Sequence, residues 1–173
     1  MARKLLLLRH GDIGEEYSDR YIGRTDVSMS PRGHRQVRAV RQLLRKEEPC
    51  PCISSSMKRC RETAALVMEA GDMKFTVAPD LREIDFGLWE GMAFDEIRKA
   101  FPGEMNGWAE FKADFIFPEG EKLGDFQARV ISAAHRLETH PADTIVVCTQ
   151  GASSGSSSAI SWGSGRGSIY FSK

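Results

Sequence analysis

The sequence carries no surplus of charge: 24 Lys and Arg stand against 24 Asp and Glu, a formal net charge of zero. Without a global field there is nothing to hold a nucleic-acid backbone or an anionic membrane, so any anion must be bound by local chemistry. Long apolar runs are lacking too. Met1 to Leu8 has a positive end and four leucines, but Arg9 and His10 cut the run before a signal-peptide core is complete, and no stretch approaches a membrane span. A cytoplasmic protein with no membrane partner is expected. Cysteine is sparse. Of Cys50, Cys52, Cys60 and Cys148, the first two form Cys-Pro-Cys, which lacks the two-residue spacer of the usual zinc and redox motifs, so all four read as core or surface thiols. There is no Asp-x-Asp cluster and no His-Glu-x-x-His helix, so neither a metal nor another cofactor is expected.

What is present is an ordinary globular composition. With 173 residues, 41% apolar and 28% charged, the chain is long enough for one full core and too short for two, so a single domain over 1–173 is expected. Lys4 to Leu8 reads as a strand buried on both faces, followed at once by a polar, glycine-containing segment. Ser30-Pro31 reads as an N-cap and first-turn proline, and Val37, Val40, Leu43 and Leu44 predict a helix from about Pro31 to Lys46. Its arginines Arg32, Arg35, Arg38, Arg41 and Arg45 read as a solvated face rather than a binding patch. Further on, Cys50 to Ser54 and Phe75 to Val77 are short strands, and Lys58 to Ala70 is a helix ended by Gly71. Ala93 to Ala100 reads as a short helix closed by Pro102-Gly103, Gly124 to Leu137 as an amphipathic helix, and Thr144 to Cys148 as a buried strand.

This alternation predicts an α/β domain: a three-layer α/β/α sandwich with a largely parallel central sheet. In such sheets ligands bind beyond the carboxyl ends of the strands, where Arg9-His10-Gly11, the turn after Ser54 and Thr149-Gln150-Gly151 should meet. The last stretch is anomalous. Gly151 to Ser168 is mostly serine and glycine where an apolar helix belongs, with only Ile169, Tyr170 and Phe171 suggesting a strand beyond it. It reads as an altered, frameshifted or poorly determined segment.

A phosphomonoester is a dianion, and attacking it requires cationic donors for its oxygens, an in-line nucleophile and an acid for the leaving oxygen. Arg9-His10-Gly11 supplies two of these, and the glycine permits a tight turn against a ligand. As a tripeptide it is a weak signal. Three more segments follow in order: Gly23-Arg24-Thr25-Asp26 with Gly33 and Gln36, Ser54-Ser55-Ser56-Met57-Lys58-Arg59, and Leu81-Arg82-Glu83-Ile84-Asp85-Phe86-Gly87-Leu88-Trp89-Glu90-Gly91. Together these motifs, spanning Lys4 to about Gly151, resemble the histidine phosphatase superfamily, also called the phosphoglycerate mutase-like family.

The resemblance implies a phosphohistidine on His10, a phosphoryl group gripped by Arg9 and Arg59 with Gly23 and Gly151 in the binding site, and protonation of the leaving oxygen by Glu83. Two guanidiniums beside an imidazole lower its pKa and favour the neutral nucleophile. Phe86-Gly-Leu-Trp-Glu-Gly, Pro118-Glu-Gly-Glu121 and the short chain look most like alpha-ribazole phosphatase and related small phosphatases, with no room between Gly91 and Pro118 for the inserted loops of true mutases. The expected partner is a small phosphorylated metabolite, alpha-ribazole phosphate being one candidate, and a homodimer is allowed. Two departures stand out. Ser56 stands where the family usually has proline, and Gln150 where the second histidine of Ser-His-Gly belongs. A glutamine amide donates a hydrogen bond but carries no positive charge, so the rival expectations are a phosphoglycerate mutase and a catalytically impaired phosphate-binding protein.

Overall fold

The structure is a computed structural model that describes residues 4–44, 50–68 and 74–150. Four strands, β1 (Lys4–Arg9), β2 (Cys52–Ser55), β3 (Thr76–Ala78) and β4 (Thr144–Thr149), form one sheet in the order β1-β4-β2-β3, with every pairing parallel. Five helices connect and cover them: α1 (Pro31–Leu44), α2 (Lys58–Met68), α3 (Phe94–Ala100), α4 (Pro102–Ala109) and α5 (Leu123–Glu138).

Alternation along the strands divides the apolar residues between two faces. Leu6, Leu8, Cys52, Val146 and Cys148 pack with Val37 of α1 and Ala64 and Val67 of α2. The intervening residues Leu5, Leu7, Ile53, Ile145 and Val147 pack with Leu137 of α5 on the other side. β1 and β4 are apolar at successive positions because both their faces are covered, which gives the α/β/α layering. A second core of Phe86, Trp89, Ile97, Met105, Phe117 and Leu123 lies apart from the sheet, with the Trp89 and Phe117 rings edge to face at 5.2 Å.

The strand register places the site. Arg9 pairs with Thr149, and Ser54 pairs with Cys148. The carboxyl ends of β1, β4 and β2 are therefore level, and His10, Gln150 and Ser55 emerge side by side.

Most element boundaries move by one or two residues from the sequence expectation, and one α-helix is new. Pro102 does not merely close α3, which ends at Ala100; it opens α4 in the first helical turn, where its missing N–H costs nothing. Ser30 does cap α1, its hydroxyl accepting the Gly33 N–H at 3.1 Å. Of the expected solvated face, Arg32, Arg35 and Arg38 are exposed, whereas Arg41 is half-buried. Cys52, Cys60 and Cys148 are core thiols. Arg45, the end of the predicted α2 and everything from Gly151 onward, including the Ile169 to Phe171 strand, lie outside the described residues. Among the described residues no helix is long and apolar enough to cross a membrane.

Candidate functional site

At the end of β1 the His10 N–H donates to the Thr149 carbonyl at 3.1 Å, continuing the ladder one residue past the strand. The ring Nδ1 lies 2.8 Å from the Gly11 carbonyl oxygen. A carbonyl only accepts, so Nδ1 carries the proton and Nε2 keeps its lone pair. The chain then turns against the start of α1. A Cβ on Gly11 would stand 2.7 Å from the Gly33 oxygen, and one on Gly33 would collide with the Asp12 carbonyl, so neither position has room for a side chain. Asp12 secures this junction by accepting the Ser30 hydroxyl at 2.5 Å and, through its carbonyl, the Ser30 N–H at 2.8 Å.

Arg59, in the first turn of α2, is wholly buried. Its Nη1 donates to the Thr25 carbonyl at 2.9 Å and its Nη2 to the Gly23 carbonyl at 2.8 Å, while its buried Nε has no partner among the described residues. Burial works against its charge, partly offset by Glu83, Glu90 and Asp26. The loop that Arg59 holds is clamped from the other side by Glu90. That carboxylate accepts the backbone N–H groups of Gly23 and Arg24 and the Thr25 hydroxyl, at 3.1, 2.7 and 2.7 Å. Gly23 thus has its N–H and its carbonyl both engaged, and a Cβ there would run into the Ile84 carbonyl.

Glu83 is only 6% exposed, and its Oε1 accepts the Ile84 N–H at 3.0 Å. Burial raises its pKa to about 7, against the opposing pull of that hydrogen bond and of Arg59, Arg129 and Arg9. His10 moves the other way, down to about 4. Here burial is the largest cause, with Arg59 and Arg9 adding to it and the Gly11 bond and Asp12 opposing. The expectation that two guanidiniums depress the imidazole has the right sign, but desolvation contributes more. Arg9 and Arg59 act on both His10 and Glu83, so the four groups share one electrostatic neighbourhood, with Arg9 at its exposed edge.

Gln150 follows β4 and turns its amide toward β2. Nε2 donates to the Ser55 hydroxyl at 3.2 Å, and Oε1 is buried without a partner among the described residues. Gly151 lies outside the described residues. Three contributors carried no functional signal in the sequence: Glu90, Thr63, whose hydroxyl accepts the Gly11 N–H at 3.2 Å and donates to the Arg59 carbonyl at 2.8 Å, and Arg129 of α5, which binds the backbone around Glu83. Glu90 lay within a recognised motif, but nothing in its spacing says that it faces the 23–25 loop.

At neutral pH the arrangement offers an unprotonated imidazole nitrogen, two guanidiniums and a carboxyl group near half protonation. These groups gather beyond the carboxyl ends of the parallel strands of an α/β domain, where ligands bind in such sheets. The chain belongs to the histidine phosphatase superfamily (branch 1), whose sequence pattern matches residues 5–158. Phosphoserine phosphatase 1 of Hydrogenobacter thermophilus is 31% identical over 145 residues, covering 83% of this chain and 69% of that protein. Glucosyl-3-phosphoglycerate phosphatase of Mycolicibacterium vanbaalenii is 30% identical over 142 residues, 82% of this chain and 63% of its own length. Among solved structures, a putative alpha-ribazole-5'-P phosphatase from Escherichia coli superposes with a TM-score of 0.79 at 25% identity, over 87% of this chain and 74% of that one. The chain spans between 37% and 69% of the length of the curated relatives it matches.

Proposed function

We propose that this chain is a metal-independent phosphomonoesterase that works through a phosphohistidine on His10, with a small phosphorylated metabolite as substrate. The observation that carries the reading is the opposite displacement of two groups that share Arg9 and Arg59: an imidazole held neutral, with its single proton on Nδ1, and a carboxyl whose burial keeps it protonated up to about 7. Pairs of groups pushed apart in this way are suited to nucleophile and acid roles.

In the first half-reaction His10 Nε2 forms a bond to phosphorus as the ester P–O bond breaks. The leaving oxygen takes the Glu83 proton and departs as an alcohol. Arg9 and Arg59 neutralise the equatorial oxygens. In the second, water attacks the phosphohistidine, its proton passes to the Glu83 carboxylate, and the N–P bond breaks to release inorganic phosphate and restore both groups. The phosphatases among its relatives support hydrolysis over transfer.

A second reading, a catalytically weak phosphate-binding protein, is favoured by Gln150 alone. Its neutral amide, committed to Ser55, supplies no charge to the transition state. Phosphate release from a panel containing phosphoserine, glucosyl-3-phosphoglycerate, alpha-ribazole 5'-phosphate and nitrophenyl phosphate separates the two readings. Turnover of any panel member supports the esterase, and phosphate binding without turnover supports the second reading. Isomerisation of a phosphoglycerate primed with a bisphosphate would identify a mutase instead.

A further inference from the structure

Glu83 sits in a segment with no regular structure to hold it: a single 3-10 turn at Pro79–Leu81 gives way to extended backbone at Arg82. A proton donor must stand within hydrogen-bond reach of the departing oxygen, so something outside the segment has to fix it. One side chain does most of this. Arg129, on α5, donates from Nη1 to the carbonyls of Asp80 and Arg82 at 2.9 and 2.6 Å, and from Nη2 to the carbonyl of Glu83 at 3.0 Å. Its remaining donors go to Glu121, Nε to Oε1 at 2.7 Å and Nη2 to Oε2 at 2.8 Å. All five N–H groups of the guanidinium are thereby used.

Glu121 in turn accepts the Asp85 N–H at 3.2 Å through Oε2, and its own N–H donates to the Asp85 carbonyl at 2.9 Å. The remaining carbonyl, that of Leu81, accepts the Thr149 hydroxyl at 3.2 Å. The backbone is therefore pinned at every residue from Asp80 to Glu83 and again at Asp85. The Phe126 ring, 4.8 Å from the guanidinium carbon, supports Arg129 from its own helix.

We propose that Arg129, oriented by Glu121, is a positioning residue that sets where the Glu83 carboxyl stands relative to the leaving oxygen. This rests on the reading of Glu83 as the proton donor. A planar fork suits three carbonyls and a carboxylate together, whereas a lysine ammonium has three donors and no plane. The charge also reaches Glu83. The ionisable groups that act on that carboxyl include Arg9 from β1, Arg59 and Cys60 from α2 and Arg129 from α5, with His10 at the end of β1 sharing Arg9 and Arg59, and the three arginines all favour the ionised form.

The test uses the full chain with Arg129→Lys, Arg129→Gln, Glu121→Gln and Glu83→Gln, each checked for a cooperative unfolding transition. Arg129→Lys is expected to lower kcat on an alkyl phosphate by about ten- to a hundredfold with KM changed far less, and to lower nitrophenyl phosphate turnover only a few-fold, because a phenolate needs little protonation. Added to Glu83→Gln it should cost nothing further. Should Arg129→Lys not fold, Glu121→Gln carries the same test with a smaller loss of the same leaving-group pattern. A readout independent of turnover is the carbon-13 carboxyl signal of Glu83, assigned by its disappearance in Glu83→Gln. Its midpoint is expected to rise in Arg129→Gln and to move less in Arg129→Lys. Equal losses on both substrates, full additivity with Glu83→Gln, or an unmoved midpoint would overturn the proposal. A wild-type chain that turns over no monoester would sink the esterase reading, while the carboxyl titration would still decide the role of Arg129.

Discussion

The Gln150 amide nitrogen donates to the Ser55 hydroxyl at 3.2 Å, joining the ends of β4 and β2, while its buried Oε1 has no partner among the described residues. An unpaired buried carbonyl oxygen costs free energy that a better-fitting side chain would not. Gln150→His is therefore expected to raise the rate of phosphoryl transfer while changing substrate affinity less, since a protonated imidazole strengthens its contact as charge develops on the phosphoryl oxygens. Charged hydrogen bonds exceed neutral ones by about 1 kcal/mol, which corresponds to roughly a fivefold gain. Single-turnover rates on both forms measure it, and an unchanged rate in a folded variant would mean that this position does not face the phosphate.

The pH dependence follows from His10 and Glu83. Attack requires His10 unprotonated, which holds above about 4, and departure requires Glu83 protonated, which holds below about 7. The profile of kcat/KM for an alkyl phosphate should be bell-shaped between those limits. Glu83→Gln should remove the alkaline limb and slow alkyl phosphates by about a hundred- to ten-thousandfold, with a much smaller effect on nitrophenyl phosphate. Equal slowing of both substrates would assign Glu83 to structure or binding.

Glu83 also makes stability depend on pH. Its pKa rises from an ordinary 4.5 to about 7 on folding, so its contribution is fully present below 4.5 and is lost as pH climbs through 7. The loss is on the order of 3 kcal/mol. Glu83→Gln, which cannot ionise, should therefore be more stable than the wild type at pH 8 and similar to it near pH 4. Urea denaturation at the two pH values tests this, and a variant less stable at pH 8 would contradict the assigned burial cost.

Turnover is expected to survive an excess of chelator, because the imidazole, the two guanidiniums and the Glu83 carboxyl supply a nucleophile, charge neutralisation and an acid without a metal. Activity lost on chelation and restored by a divalent ion would count against the mechanism.

The legible parts of the molecule are those where local pattern and tertiary role coincide. β1 and β4 read correctly because strands covered on both faces are apolar at successive positions, and His10 was visible because it ends such a strand beside Arg9 and Gly11. Arg59 and Glu83 could be singled out only through ordered motifs, since an arginine in a first helical turn and a carboxylate in a loop are usually solvated. Arg129 was not legible at all. On sequence it resembles the exposed Arg32, Arg35 and Arg38, and only the packing of α5 over the Asp80–Asp85 backbone distinguishes it. α4 is not legible because a proline after a helix reads as a stop, while the same fixed φ of Pro102 also starts a helix.

The central claim is the covalent intermediate, and the most direct measurement is mass mapping under alkaline conditions after brief incubation with a phosphomonoester. His10 sits at a strand end beside Arg9 with Nδ1 fixed on Gly11, whereas His34 and His135 lie on helices and His140 follows α5. The account predicts an acid-labile, base-stable phosphoryl group on His10 that is absent from His10→Ala. Phosphorylation of another residue, persisting in His10→Ala, would contradict it.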